Sequence, residues 1–246
     1  MIFTLEKLSQ QKIKDFKKLQ LKKHRNAAQL LYLEGETLIK DLLAEFPQLV
    51  LTLVLTEDKL PEFEQYNKEL LIAPFADLEK LTQLKTPKKV NAIVKYPKIK
   101  PWKAGQKALL LDQIQDPGNL GTIIRTADWF GIQHIFCAPG TTDYLSPKVI
   151  HASMASAFRV QLHYQELAPM IKKYADQTFG TYMDGTDFEQ IDPNQMQFLV
   201  LGHEGHGISD NLTALLKHRI GIPQKGRAES LNVAVAAGIL LQHLSK

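Results

Sequence analysis

Cysteine is almost missing from this 246-residue chain, which has one thiol, Cys137. One thiol excludes an internal disulfide and a cysteine-based zinc site, and its place in the apolar run IQHIFCAP reads as a buried strand position. No apolar run approaches the roughly 20 residues of a membrane-spanning helix. The opening MIFTLEKLSQQKIKDF contains Glu6 and Asp15 but neither an apolar h-region nor a small-residue cleavage site, so no secretory signal is expected and a cytoplasmic location is. Internal repeats and low-complexity tracts are also lacking, which excludes a repeat architecture. The remaining composition, 44% hydrophobic and 23% charged, suffices for one large domain or two modest ones.

The net charge of +4 hides an asymmetry. Residues 1–107 hold 20 Lys and Arg against 13 Asp and Glu, whereas residues 108–246 hold 10 against 13. A basic first part is suited to a polyanion, and a slightly acidic second part to another task. The basic excess begins early. Apolar Leu5, Leu8, Ile13, Phe16 and Leu19 predict an imperfect helix over 4–28. Its other residues include Lys12, Lys14, Lys17, Lys18, Lys22, Lys23 and Arg25, which could contact phosphates or form a solvated face.

Strands and helices then alternate. Strands are expected at 30–35, 49–56, 69–74 and 90–97, with helices at 36–46, 61–67 and 75–84, which implies a small α/β sandwich. YPKIKPWKAGQ, residues 96–106, carries Pro97, Pro101 and Gly105 with no clear period, as a linker does. The expected division is therefore 1–97, a linker 98–106, and 107–246. Trp102, among lysines, is open to two readings: a base-stacking ring or an aromatic pinned against a domain face.

The second part again alternates, predicting a largely parallel sheet with helices on both faces. Helices are expected at 122–130, 147–157, 167–176 and 210–217, and from about Leu231 to the end. Three stretches stand out. LLLDQIQDPGNLGTIIRTADWFG (109–131) is a strand, a Pro-Gly-Asn turn and a helix carrying Arg125. FLVLGHEGHGIS (198–209) is a strand breaking into a glycine-rich loop around Glu204. IGIPQKGRAESLNVAVAAGILL (220–241) is a strand, a polar turn and a small-residue helix, with Ser230 at the expected N-cap and Asn232 in the first turn. Other chemistries fit poorly. GHEGHG lacks the G-x-G-x-x-G spacing of a dinucleotide site, His203 and His206 lack the helical H-E-x-x-H spacing of a zinc site, and Ser230 lacks a nucleophile elbow. No metal is expected.

In that order, N-x-x-x-x-x-R, G-x-E-G-x-G and I-P with S-L-N resemble the three motifs of the SpoU family, RNA ribose 2′-O-methyltransferases of the trefoil-knotted SPOUT superfamily. The resemblance covers roughly residues 105–246. It implies S-adenosylmethionine as methyl donor, received by the main chain at Gly202, Ile222 and Leu231, with the loop around Met183 as a further contact. It implies that Arg125 helps activate a ribose hydroxyl, with Asn119, Glu204, Ser230 and Asn232 grouped around it. A guanidinium keeps its proton, so Arg125 is better suited to hold phosphate or stabilise alkoxide charge than to act as a base. Glu204 is the rival base or a carboxylate bonding loop N–H groups, and Asn119 a site residue or a helix cap. Family members often carry glycine where this chain has Met154 or Ser156. LEGETLIKDLL resembles the substrate-binding module that precedes many SpoU catalytic domains, a fold related to ribosomal proteins that bind kinked RNA. The family implies a homodimer through the catalytic domain and an RNA partner, ribosomal RNA before transfer RNA. A non-catalytic RNA-binding protein and a methyltransferase acting on a small molecule or protein stay open.

Overall fold

The computed structural model describes residues 5–246 and divides into two compact units, the break falling between Lys98 and Ile99. Residues 1–4, which include Thr4, the expected start of the basic helix, lie outside the described residues.

The first unit contains β1 (Leu5–Lys7), α1 (Gln10–Lys18), α2 (Lys22–Ala28), β2 (Leu30–Glu34), α3 (Glu36–Glu45), β3 (Val50–Leu55), α4 (Leu60–Phe63), β4 (Glu69–Ile72), α5 (Phe75–Glu79) and β5 (Val90–Lys95). Its sheet runs β1-β4-β3-β5-β2. The first three strands are parallel, and β5 pairs antiparallel with both β3 and β2. The single imperfect helix expected at the start is instead a strand and two helices. Ser9 caps α1 by accepting the Lys12 N–H, and the chain turns at 19–21 because Leu19 is drawn into the core beside Ile13, Leu78 and Leu81. Leu8, Ile13, Phe16 and Leu19 do share one buried surface, but no single helix could present them all. The two helices expected at 61–67 and 75–84 shorten to four and five residues.

The second unit contains β6 (Ala108–Leu111), α6 (Pro117–Trp129), β7 (His134–Cys137), α7 (Pro147–Ser153), α8 (Ser156–Arg159), β8 (Gln161–Tyr164), α9 (Ala168–Lys173), β9 (Thr178–Asp187), β10 (Phe198–Leu201), α10 (Asp210–Thr213), β11 (His218–Gly221) and α11 (Val233–Leu244). Its sheet, β11-β9-β10-β6-β7-β8, is parallel throughout. Leu110, Phe136, Phe198 and Val200 face Leu167 and Ile171 from around α9 and Leu212 from α10. The alternate residues Leu109, Leu111, Ile135, Leu199 and Leu201 point to the opposite face and are equally buried. A parallel sheet covered on both faces needs such continuous apolar strands. Cys137 is one of these residues, and burial pushes its thiol pKa far up, leaving it unreactive. Trp102 is half-buried, packs against Phe136, Tyr174 and Phe198 and donates to the Gln106 carbonyl at 3.0 Å, which matches an aromatic pinned against a domain face.

Two helices depart from expectation for reasons of capping. α6 begins five residues early because Asp116 is its N-cap, accepting the Asn119 N–H at 2.8 Å, with Pro117 at the first helical position. The Pro-Gly-Asn turn is thus the first turn of the helix, and Asn119 is not its cap. α6 ends in a Schellman motif, with Gly131 at φ +73° and the Ile132 N–H returning to the Ala127 carbonyl. The helix expected over 147–157 breaks in two at Met154, whose φ of +56° is left-handed backbone. Glycine adopts that conformation without steric cost, which gives a physical reason for glycine at this position.

Candidate active site

All strands of the second sheet point one way, so the segments that follow β6, β10 and β11 emerge at the same edge. Each contributes one member of a hydrogen-bonded chain. Glu204, in the glycine loop after β10, accepts from the N–H groups of Gln115 (3.4 Å) and Asp116 (3.2 Å) and from Nδ2 of Asn119 (3.1 Å). The Asn119 Oδ1 accepts from Nδ2 of Asn232 at 2.9 Å. Asn232 in turn caps α11, its Oδ1 accepting the Ala234 and Val235 N–H groups. Ser230, expected to be that cap, is exposed two residues earlier and donates to none of these groups. The shift has a simple cause. Asn232 offers its carbonyl oxygen to the helix and, from a separate atom, an amide N–H to Asn119, spanning two partners that a single hydroxyl oxygen would have to serve from one point.

Glu204 is held as a carboxylate. Burial pushes its pKa up, but hydrogen bonds from the Asn119 amide and from the N–H groups of Glu204 itself, Asp116 and Gln115 outweigh burial, and the net value lies below the usual range. Such a group is a weak base and a firm anchor. The loop that carries it is closed by paired backbone bonds between His203 and Gly207, at 2.9 and 3.0 Å. A Cβ on Gly202 would overlap Gly207 and the Ile208 nitrogen, so only glycine permits this fold-back. The loop exit is tied down by Ser209, whose N–H and hydroxyl both donate to the buried Asp112 carboxylate, at 2.8 and 2.6 Å. Asp112 and Asp116 lay outside the sequence reading. The Asp-Pro pair at the start of α6 was a legible cap signal, whereas the pairing of Asp112 with Ser209 across 97 residues was not.

Arg125 lies six residues beyond Asn119 on α6 and is exposed. Thr122 and Thr126 beside it turn their hydroxyls back to the Gly118 and Thr122 carbonyls, at 2.8 Å each, so Arg125 is the free polar group of that stretch. α6 itself is seated by Gly121, where a Cβ would stand 2.5 Å from the Ala152 Cβ and 2.8 Å from the Val149 carbonyl oxygen. Of the four expected cofactor contacts, Gly202 and Ile222 directly follow β10 and β11. Leu231, 46% exposed, precedes the α11 cap. Met183, 61% exposed, sits in a bulge of β9: the partner strand β11 steps from Gly180 to Thr186 between two consecutive residues, Arg219 and Ile220. Hydrogen bonds join Asn119, Glu204 and Asn232 into one group. None links Arg125, Ser230 or Met183 to it among the described residues. No cluster of three or more His, Cys, Asp or Glu suited to a metal occurs among those residues, and no helix of theirs is long and apolar enough to cross a membrane.

Comparison with known proteins agrees along the chain. Residues 106–242 match the SpoU rRNA Methylase family, and residues 10–92 match the MRM3-like substrate binding domain. The chain is 32% identical over 244 residues, 98% of each protein, to 23S rRNA (guanosine(2553)-2′-O)-methyltransferase RlmP of Bacillus subtilis. Among solved structures it resembles a putative RNA methyltransferase of the TrmH family from Porphyromonas gingivalis (33% identity, TM-score 0.83, covering 96% of this chain and 98% of that one). It also resembles the AdoMet-bound rRNA methyltransferase from Sinorhizobium meliloti (29% identity, TM-score 0.82, 98% and 97%). With three motif segments meeting at one sheet edge and a family match over more than half its length, the chain belongs to the SpoU rRNA methylase family.

Proposed function

We propose that this protein transfers a methyl group from S-adenosylmethionine to a ribose 2′-hydroxyl of ribosomal RNA. The observation that carries the reading is the Glu204–Asn119–Asn232 chain, which holds the three motif segments together on the α6 helix that displays Arg125. The activity for which the Bacillus relative is named and the AdoMet-bound Sinorhizobium neighbour support the substrate and the donor. The donor brings a methyl already activated on a sulfonium, so the protein has to position two partners and manage one proton.

The residues fit that work. Gly202, with no side chain, lets the loop after β10 fold back on itself at the strand end, and Ile222, Leu231 and Met183 border the same edge. Arg125 holds an RNA phosphate or stabilises developing alkoxide charge, because a guanidinium does not give up its proton. Glu204 keeps the loop in place rather than taking the proton, since its oxygens are engaged and its basicity is lowered. Ser230 lies beside Asn232 on the open turn, available to the acceptor. Residues 1–97 present the RNA, joined through 98–106 to a catalytic domain of 107–246, and the protein works in the cytoplasm. Two apolar side chains on packed helices, Trp129 of α6 at 85% exposure and Val235 of α11 at 52%, fit a homodimer through the catalytic domain. Sedimentation of wild type against Trp129→Glu tests it: a dimer that becomes a monomer is expected, and a monomeric wild type removes the proposal.

The decisive assay is transfer of labelled methyl to total RNA from cells lacking this protein, with nucleoside digestion and mass spectrometry. A 2′-O-methylnucleoside in ribosomal RNA is the expected product. Label in transfer RNA would change the substrate, and label on a base would overturn the chemistry.

A further inference from the structure

The bulge that carries Met183 is built by a side chain that the proposed mechanism has not used. Tyr182 turns inward over Gly180, where an added Cβ would stand 2.8 Å from the Tyr182 Cε2, 2.6 Å from Leu216 and 3.2 Å from Ile208. Its carbonyl oxygen lies where a Cβ on Gly221 would be 2.6 Å away, so β11 passes it backbone to backbone. The Arg219 guanidinium covers the outer face of the ring at 3.9 Å from the centroid. With ring and backbone both fixed, Met183 is turned out to solvent at the rim.

The phenol also reaches the glycine loop. Tyr182 Oη donates to Thr213 Oγ1 at 2.9 Å, and Thr213 Oγ1 donates to the Ile208 carbonyl at 3.3 Å. Each hydroxyl spends its one proton in the same direction, so the relay is consistent. Ile208 is the residue at which the loop from Gly202 ends. The relay therefore ties the β9 bulge to the loop after β10, two of the walls assigned above to the donor.

We propose that Tyr182 is a positioning residue for the methyl donor: through Thr213 it sets the spacing between the Met183 bulge and the Gly202 loop, and with it cofactor affinity. The proposal rests on the cofactor reading given above. The role proposed for Tyr182 and Thr213 is indirect, exerted through the walls of the site rather than on the donor or the ribose. Their influence is on the width of the site, because a wall held by a packed ring and a hydrogen bond is already in its bound position before ligand arrives.

The test is calorimetric binding of S-adenosylhomocysteine, the demethylated donor, to wild type, Tyr182→Phe, Thr213→Val and the double variant, with melting temperature and RNA affinity measured in parallel. Tyr182→Phe keeps the ring and removes the relay, so the fold is retained. Each single variant is expected to weaken binding about fivefold, the scale of one neutral hydrogen bond. The double variant is expected to be no weaker than either single one, because both break one relay, and RNA affinity should stay unchanged. Tyr182→Phe binding as wild type does would overturn the proposal, as would additive losses or an equal loss of RNA affinity. A wild type that fails to bind S-adenosylhomocysteine at all would instead defeat the cofactor reading, and the proposal with it.

Discussion

Asn119 and Asn232 stand 113 residues apart in the chain and share a hydrogen bond of 2.9 Å, Nδ2 of Asn232 donating to Oδ1 of Asn119. Both amides are used at both ends. Asn119 donates onward to Glu204, and Asn232 accepts from the first turn of α11. Asn232→Ala is therefore expected to cost roughly 1 kcal/mol from the lost cap alone and to free Asn119 as well. In a double-mutant cycle by chemical denaturation, Asn119→Ala and Asn232→Ala should be non-additive by about 0.5 kcal/mol or more. Independent effects would mean that the link carries no energy.

Arg125 faces solvent with the neighbouring threonine hydroxyls turned away, and its replacement should leave the fold intact. Arg125→Ala is expected to reduce methyl transfer by roughly a hundredfold or more, the scale of losing one charge-stabilising donor, while S-adenosylhomocysteine affinity stays within about twofold of wild type by the same argument that the contact belongs to the acceptor. Loss of cofactor binding in this variant would remove Arg125 from the acceptor side.

The hydrogen bonds to Glu204 lower its pKa below the ordinary 4.5. A carboxyl depressed on folding contributes stability that is present above its unfolded value and lost as the pH falls through the folded one. The stability difference between wild type and Glu204→Gln should thus be constant at neutral pH and shrink as the solution is acidified below 4.5. Urea melts at stepped pH read this directly, and a difference that grows on acidification would contradict the arrangement.

Lys17 of α1 and Lys22 and Lys23 at the start of α2 are exposed in the basic first unit. Replacing all three by alanine is expected to weaken RNA binding and to lower the slope of log affinity against log salt by about 2–3, near one per lost phosphate contact. Cofactor binding should not respond. An unchanged slope would make these lysines a solvated face.

A Cβ on Gly202 has no room beside Gly207 and Ile208. Gly202→Ala must therefore open the loop, and it should lower stability by about 1–3 kcal/mol, as overpacking does, together with a marked loss of S-adenosylhomocysteine affinity. A variant with wild-type affinity would show that the loop's fold-back is not needed for the ligand.

Much of this protein was legible in one dimension. Strands alternating with helices pointed to a largely parallel sheet, and continuous apolar runs such as ALLL and FLVL suit strands buried on both faces. Asn119, Glu204 and Asn232 could be singled out because glycines and turn residues surround them in an ordered series that resembles the SpoU motifs. Local chemistry also set the start of α6, through the cap signal of Asp116 followed by Pro117. The tertiary structure alone decided the rest. Competition between two nearby polar residues gave the α11 cap to Asn232 over Ser230, since only Asn119, brought in from α6, rewards an amide there. The early helix broke at Leu19 because the core lies where a straight helix could not reach it. The link from Asp112 to Ser209, and the relay from Tyr182 through Thr213 to Ile208, depend on which strands become neighbours. Hydrogen bonds between residues dozens of positions apart leave no periodic trace in sequence, because they are fixed by strand order and register rather than by local propensity.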